Sequence, residues 1–140
     1  MPNFRTKLSV FTAIIGISSL SFASGTPSAK DAMAYIISPK DGETVSSPFK
    51  VQFGLSGMGV APAGIDKKNT GHHHLLIDSK DLPEMKSPMG KNVKHFGGGQ
   101  SETVLSLEPG EHSLQLILGD KNHTPHTPPV VSKIITITVK

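Results

Sequence analysis

The sequence predicts an all-β protein, an immunoglobulin-like two-sheet β-sandwich of about six to seven short strands. Three observations carry this. Apolar and polar residues alternate with a period of two in several short segments, as in Phe49-Lys50-Val51-Gln52-Phe53 and Leu114-Gln115-Leu116. Gly- and Pro-rich turn signals separate those segments. No stretch holds a helical period for more than two turns.

The elements follow in order. Tyr35-Ile36-Ile37 is a first strand, stopped by Pro39-Lys40-Asp41-Gly42. Proline sets φ there and glycine tolerates a positive one. Phe49, Val51, Phe53 and Leu55 share one face of a half-buried second strand. Residues 56–71 read as a long loop, and His72 to Asp78 as the next strand. Residues 79–101 are loop-like and close on Gly97-Gly98-Gly99, a run that lets backbone pass close to another surface. Thr103 to Leu107 is a strand, and Glu108-Pro109-Gly110-Glu111 turns it into His112 to Leu118. In that strand Leu114, Leu116 and Leu118 face one way and Ser113, Gln115 and Ile117 the other. A polar, Pro-rich loop spans 119–129, and Ile134 to Val139 is the last strand.

Residues 1–23 have the layout of a secretory signal peptide. Arg5 and Lys7 precede the uncharged apolar run Leu8 to Leu20, and Ser21-Phe22-Ala23 supplies small residues for cleavage after Ala23. That run is shorter than the roughly 20 residues a spanning helix needs. The expected organisation is therefore a signal peptide at 1–23, a flexible mature N-terminus at 24–33 and one domain at 34–140. The expected location is periplasmic or secreted, with no membrane span after processing.

Charge and composition narrow the partners. The chain has 14 Lys+Arg against 11 Asp+Glu. Without Arg5 and Lys7 the balance is 12 against 11, so the basic character belongs mostly to the leader. Arg5 is the sole arginine. A mature chain without the planar bidentate guanidinium is poorly equipped for phosphates and base edges, so no nucleic acid is expected. There is no cysteine. Thiolate metal sites, disulfide chemistry and a cysteine nucleophile are excluded, although export would permit disulfides.

All seven histidines lie between 72 and 126: His72, His73, His74, His95, His112, His123 and His126. Residues two apart on a strand point to one face, roughly 6.5–7 Å apart. His72 and His74 can therefore present two imidazoles to one point while His73 faces away. His123-Thr-Pro-His126 offers a second pair on a Pro-stiffened loop, with Asp120 and Asn122 as nearby oxygen donors. Long loops of a sandwich cluster at its ends, so His72, His74, His95, His123 and His126 are expected to converge there as metal ligands. Imidazole ligation suits copper or zinc and disfavours calcium and magnesium. Met85 and Met89 are soft-ligand candidates for Cu(I). His112 is in phase with Leu114, Leu116 and Leu118 and is expected to close the edge of the core.

GHHHLLID (71–78), HFGGGQSET (95–103), PGEHSLQLILGD (109–120) and NHTPHTPPVVS (122–132) resemble, in this order, the bacterial secreted family catalogued as domain of unknown function 4399. The resemblance spans about 34–140. It implies that the His-bearing blocks are the family's signature. Members often carry a second histidine just before HFGGG, where this chain has Lys91-Asn92-Val93-Lys94.

Three functions fit these residues. The first is an exported carrier, buffer or accessory protein for copper or zinc. The second is a non-catalytic module that binds an envelope protein partner, with purely structural histidines. The third is a copper-dependent redox enzyme. No Ser-His-Asp or paired-carboxylate constellation is evident, which weighs against hydrolytic chemistry.

Overall fold

A computed structural model describes residues 25–140; the predicted signal peptide lies outside the described residues. Its strands are β1 (Met33–Ser38), β2 (Thr44–Val45), β3 (Phe49–Ser56), β4 (Gly59–Val60), β5 (Thr70–Ile77), β6 (Lys94–His95), β7 (Glu102–Leu105), β8 (Gly110–Gly119) and β9 (Ile135–Val139). Nine strands among the described residues replace the six to seven expected. The difference is three two-residue strands, too short to show a period in sequence.

The strands form two sheets, in the orders β1-β3-β7 and β2-β9-β8-β5-β4, with β6 pairing on β5. The six longer strands split in the manner of an immunoglobulin-like sandwich: first, second and fourth on one side, third, fifth and sixth on the other. The main core lies between the sheets. Ala34, Phe49, Val51 and Phe53 meet Leu75, Leu114, Leu116, Leu118 and Ile137 there.

Around β5 the larger sheet is buried on its outer face as well. The long segment between β5 and β7, together with residues 120–131, folds back over it. Leu76, Met89, Val93 and Ile117 form a second apolar cluster under that cover, with Met85 and Val131 packed against it. This explains why Ile117, on the strand face expected to be polar, is fully buried. It also explains why every residue of β5 from Gly71 to Leu76 is buried, where a one-sided sheet would alternate.

The segment expected to be a flexible N-terminus makes specific contacts. Thr127 N donates to the Thr26 carbonyl at 3.0 Å, and Ser28 N to the Thr127 carbonyl at 3.2 Å. Among the described residues no helix is long and apolar enough to cross a membrane.

His112 closes the far end of the β5–β8 pair. Its Nδ1 donates to Asp78 Oδ2 at 2.7 Å and its Nε2 to the Glu108 carbonyl at 2.8 Å, while Ser113 N donates to Asp78 Oδ1 at 2.9 Å. With an acceptor at each ring nitrogen, the imidazolium is favoured. The Asp78 carboxylate, then the Glu108 carbonyl, hold His112 above its usual value of 6.5. For Asp78, burial pushes upward, but the bonds from His112 and Ser113 outweigh it and hold the carboxyl below 3.8. A raised histidine stabilises fully below its unfolded value and stops doing so as pH rises through the folded one; a lowered carboxyl does the reverse. The clamp therefore contributes fully between pH 3.8 and 6.5. The melting-temperature difference between the protein and His112→Ala should be largest near about pH 5 and shrink as pH rises past neutral. Calorimetry at a series of pH values checks this; a difference that grows toward alkaline pH would contradict it.

Candidate metal centre

β5 supplies the first two imidazoles. His72, His74 and Leu76 point to the outer face, where the cross-strand partners of the two histidines are Gly119 and Ile117. Gly119 leaves room for them. A Cβ built there would collide with the His74 ring and come within 2.9 Å of Met89 Cε. β6 supplies the third: His95 is the cross-strand partner of His74, so both rings leave the sheet on one side. Their centroids are 4.6 Å apart. The fourth, His123, comes from the turn after β8, which bends over the same face.

The ring nitrogens converge. His123 Nδ1 lies 2.9 Å from His72 Nε2, 3.3 Å from His74 Nε2 and 3.2 Å from His95 Nδ1. One nitrogen carries either one hydrogen or one in-plane lone pair, so it makes only one good hydrogen bond in that plane. The other two contacts are left without a well-aligned hydrogen bond. The neutral His95 ring cannot relieve this, because its Nε2 donates to the Gly90 carbonyl at 3.0 Å and leaves a bare Nδ1 facing the cluster. A hydrogen bond on the distal nitrogen is what orients imidazoles toward a metal.

Burial keeps the sheet histidines neutral. His72 and His74 are fully buried. Desolvation, followed by repulsion from His123 and His95, lowers His72 to about 4. Desolvation, followed by repulsion from His72, His95 and His123, lowers His74 to about 3. Their Nδ1 atoms find no hydrogen-bond partner. His123 is half-buried and His95 exposed, so the cluster opens to solvent on one side.

His72, His74 and His123 could hold a metal ion; one ligand nitrogen from each lies within 4.8 Å of the others. Donors at about 2.0–2.1 Å from a tetrahedral ion are separated by about 3.3–3.4 Å. The contacts of His123 Nδ1 with His72 and His74, 2.9 and 3.3 Å, lie near that spacing.

His126 does not join them. Gly119 pairs with Pro125, which sets His126 beside Leu118 on the inward side. Its Cε1 lies within 2.7 Å of where a Gly71 Cβ would stand. Its Nε2 donates to the Thr70 carbonyl at 3.1 Å, and its Nδ1 lies 3.5 Å from the Leu118 carbonyl. The oxygens of Asp120 are also engaged elsewhere. Oδ1 accepts from Asn122 N at 2.8 Å and Thr124 N at 3.0 Å, and Oδ2 accepts from Thr26 Oγ1 at 2.6 Å. Burial alone would raise this carboxyl, but those donors hold it below 3.8. Met85 and Met89 lie in the outer apolar cluster beside the histidines. Asp120 is the residue whose part was misread in sequence. An Asp side chain commonly bonds backbone N–H groups two residues on, which is what Asp120 does with Asn122 N.

An all-β, two-sheet domain with a half-open imidazole cluster on the outer face of its larger sheet is the class that fold and site define. The family model described as Domain of unknown function (DUF4399) matches residues 51–140, and the chain belongs to that family. Neither the curated proteins nor the solved structures contain a match to the chain.

His73 stands apart from the cluster. It faces the main core, with its ring centroid 5.2 Å from that of Phe53 and neither nitrogen partnered. Burial lowers it to about 4. A buried polar group without a partner costs about 1–3 kcal/mol. His73→Leu should therefore stabilise the metal-free protein by about 1–3 kcal/mol at neutral pH, read by urea denaturation. A lowered histidine withdraws stability as pH falls from 6.5 through its folded value, so this gain should widen toward pH 4.

Proposed function

We propose that this protein is an exported carrier, buffer or accessory protein for a first-row transition metal, copper or zinc, held by His72, His74, His123 and His95. The observation that supports this is the convergence of three ring nitrogens on His123 Nδ1 within 3.3 Å, where at most one contact is a good hydrogen bond. A cation at their centre would take up the lone pairs that face the cluster. An all-nitrogen set suits copper or zinc over the hard cations.

The mixed exposure suits delivery. His72 and His74 form a rigid, dry floor, and His95 and His123 face solvent at the rim. A metal there can be approached and taken over by a competing ligand without unfolding the sheet. The signal-peptide layout of residues 1–23 supports a periplasmic or secreted location for this activity. Gly90 acts through His95, fixing which nitrogen faces the metal.

Titration of the tag-free protein with Cu(II) and Zn(II), each alone, tests the reading by calorimetry. One-to-one binding is expected, and the His72→Ala/His74→Ala pair should abolish it. Equal affinity in the pair, or weak binding at many sites, would return the histidines to a structural role.

A further inference from the structure

His123 is the ligand that the sheet does not hold. It sits at the tip of the 120–124 turn with a φ of 62°. Non-glycine residues adopt that conformation only where their surroundings enforce it. The enforcement comes from Asp120. Its carbonyl accepts from His123 N at 2.9 Å, its amide donates to the Thr124 carbonyl at 2.8 Å, and its Oδ1 accepts from Asn122 N and Thr124 N. Two bonds anchor the turn to the rest of the roof, Met89 N to the His123 carbonyl and Gly64 N to the Lys121 carbonyl, both at 2.9 Å.

The second carboxylate oxygen of Asp120 is taken by a residue from the opposite end of the chain. Thr26 Oγ1 donates to Oδ2 at 2.6 Å across 94 residues of sequence, and the carboxylate is 5% exposed. The same segment grips the outgoing limb of the loop. Thr127 N donates to the Thr26 carbonyl, Ser28 N to the Thr127 carbonyl, and Ser28 Oγ to the Pro128 carbonyl at 2.8 Å. Residues 26–28 precede β1 and belong to neither sheet; these bonds tie them to the loop that presents His123.

We infer that residues 25–28 form a latch that positions His123 through the Thr26–Asp120 bond and so sets the metal affinity of the centre. The inference rests on the metal reading above. Thr26 and Asp120 are positioning residues, since neither touches the imidazole cluster. With the latch closed, His123 is held where ligation needs it, and binding does not have to order the turn. With the latch open, the buried Oδ2 takes up water, the turn loosens and the centre loses part of its fourth donor. Coupling is reciprocal, so a bound metal must also hold the latch closed. This provides a release route, because a partner that pulls the 25–28 segment away weakens the metal site without touching a ligand.

The test uses Thr26→Val, which keeps the shape and removes the hydroxyl, and Thr26→Ser, which restores it. Zn(II) and Cu(II), each alone, are titrated into the protein and both variants. Partners bonded directly to metal ligands are worth about 10–100-fold in affinity, and Thr26 stands one bond further out, so Thr26→Val should bind up to about tenfold more weakly and Thr26→Ser should recover the parent affinity. The Cu(II) absorption and electron paramagnetic resonance spectra of Thr26→Val should shift toward fewer nitrogen donors. Amide exchange at Ser28 and Thr127 should slow on metal loading in the parent and not in Thr26→Val. A parent that binds metal tightly while Thr26→Val binds equally well, with an unchanged spectrum, overturns the latch alone. A parent that binds neither metal overturns the metal reading and the latch with it.

Discussion

A β-strand sends alternate side chains to opposite faces, and in β5 both faces are dry. That constraint organises the rest of the molecule. On the inner face His73 and Leu75 join the sandwich core. On the outer face His72, His74 and Leu76 would stand in solvent if the sheet were one-sided. The protein covers them with β6, the long segment that carries Met85 and Met89, and the loop after β8. Because that cover itself carries His95 and His123, the act of drying β5 is also what assembles the imidazole cluster.

The arrangement is costly without a cation. Fully buried imidazoles are forced to stay neutral, and the ring nitrogens crowded on His123 Nδ1 cannot all be well hydrogen-bonded. A fold could have placed leucines there, as it does one turn of the pleat further on at Leu76. Stability alone gives no reason to keep the histidines at these positions, whereas a ligand that binds lone pairs does. His112 is the contrast. It has an acceptor at each nitrogen and a carboxylate beside it, so it is satisfied as a cation and closes the end of the sheet. Histidines on the same two paired strands thus have opposite charge preferences: burial keeps His72 and His74 neutral, and the Asp78 carboxylate and Glu108 carbonyl favour a protonated His112.

Much of the fold was legible because it depends on local periodicity. Phe49, Val51 and Phe53, and Leu114, Leu116 and Leu118, announce their faces by alternation, and the long strands appear near where that alternation runs. The two-residue strands were invisible because two residues have no period. Continuous burial of β5 looked like a strand in sequence, but nothing local said that its outer face would be roofed. The four clustered histidines lie at the end of the β5–β8 pair away from His112, on the sheet's outer face, because the loops there fold back over the strands.

The site divides along the same line. The amino-acid sequence by itself determined that His72 and His74 share a face, since a strand's period of two is a property of the backbone. It also determined that thiolate chemistry is impossible, since there is no cysteine. Tertiary structure alone decided which distant residues complete the set. His95 is present because β6 pairs in register with His74, and His123 because Asp120 and Thr26 hold its turn over the sheet. His126 is excluded by the pairing of Pro125 with Gly119, which turns it inward. Two residues separate His123 from His126, yet the sheet lies between their rings. Which side of it each ring occupies is fixed partly by the pairing of Pro125 with Gly119 and partly by bonds to the distant Thr26, Thr70 and Met89, which no local pattern encodes.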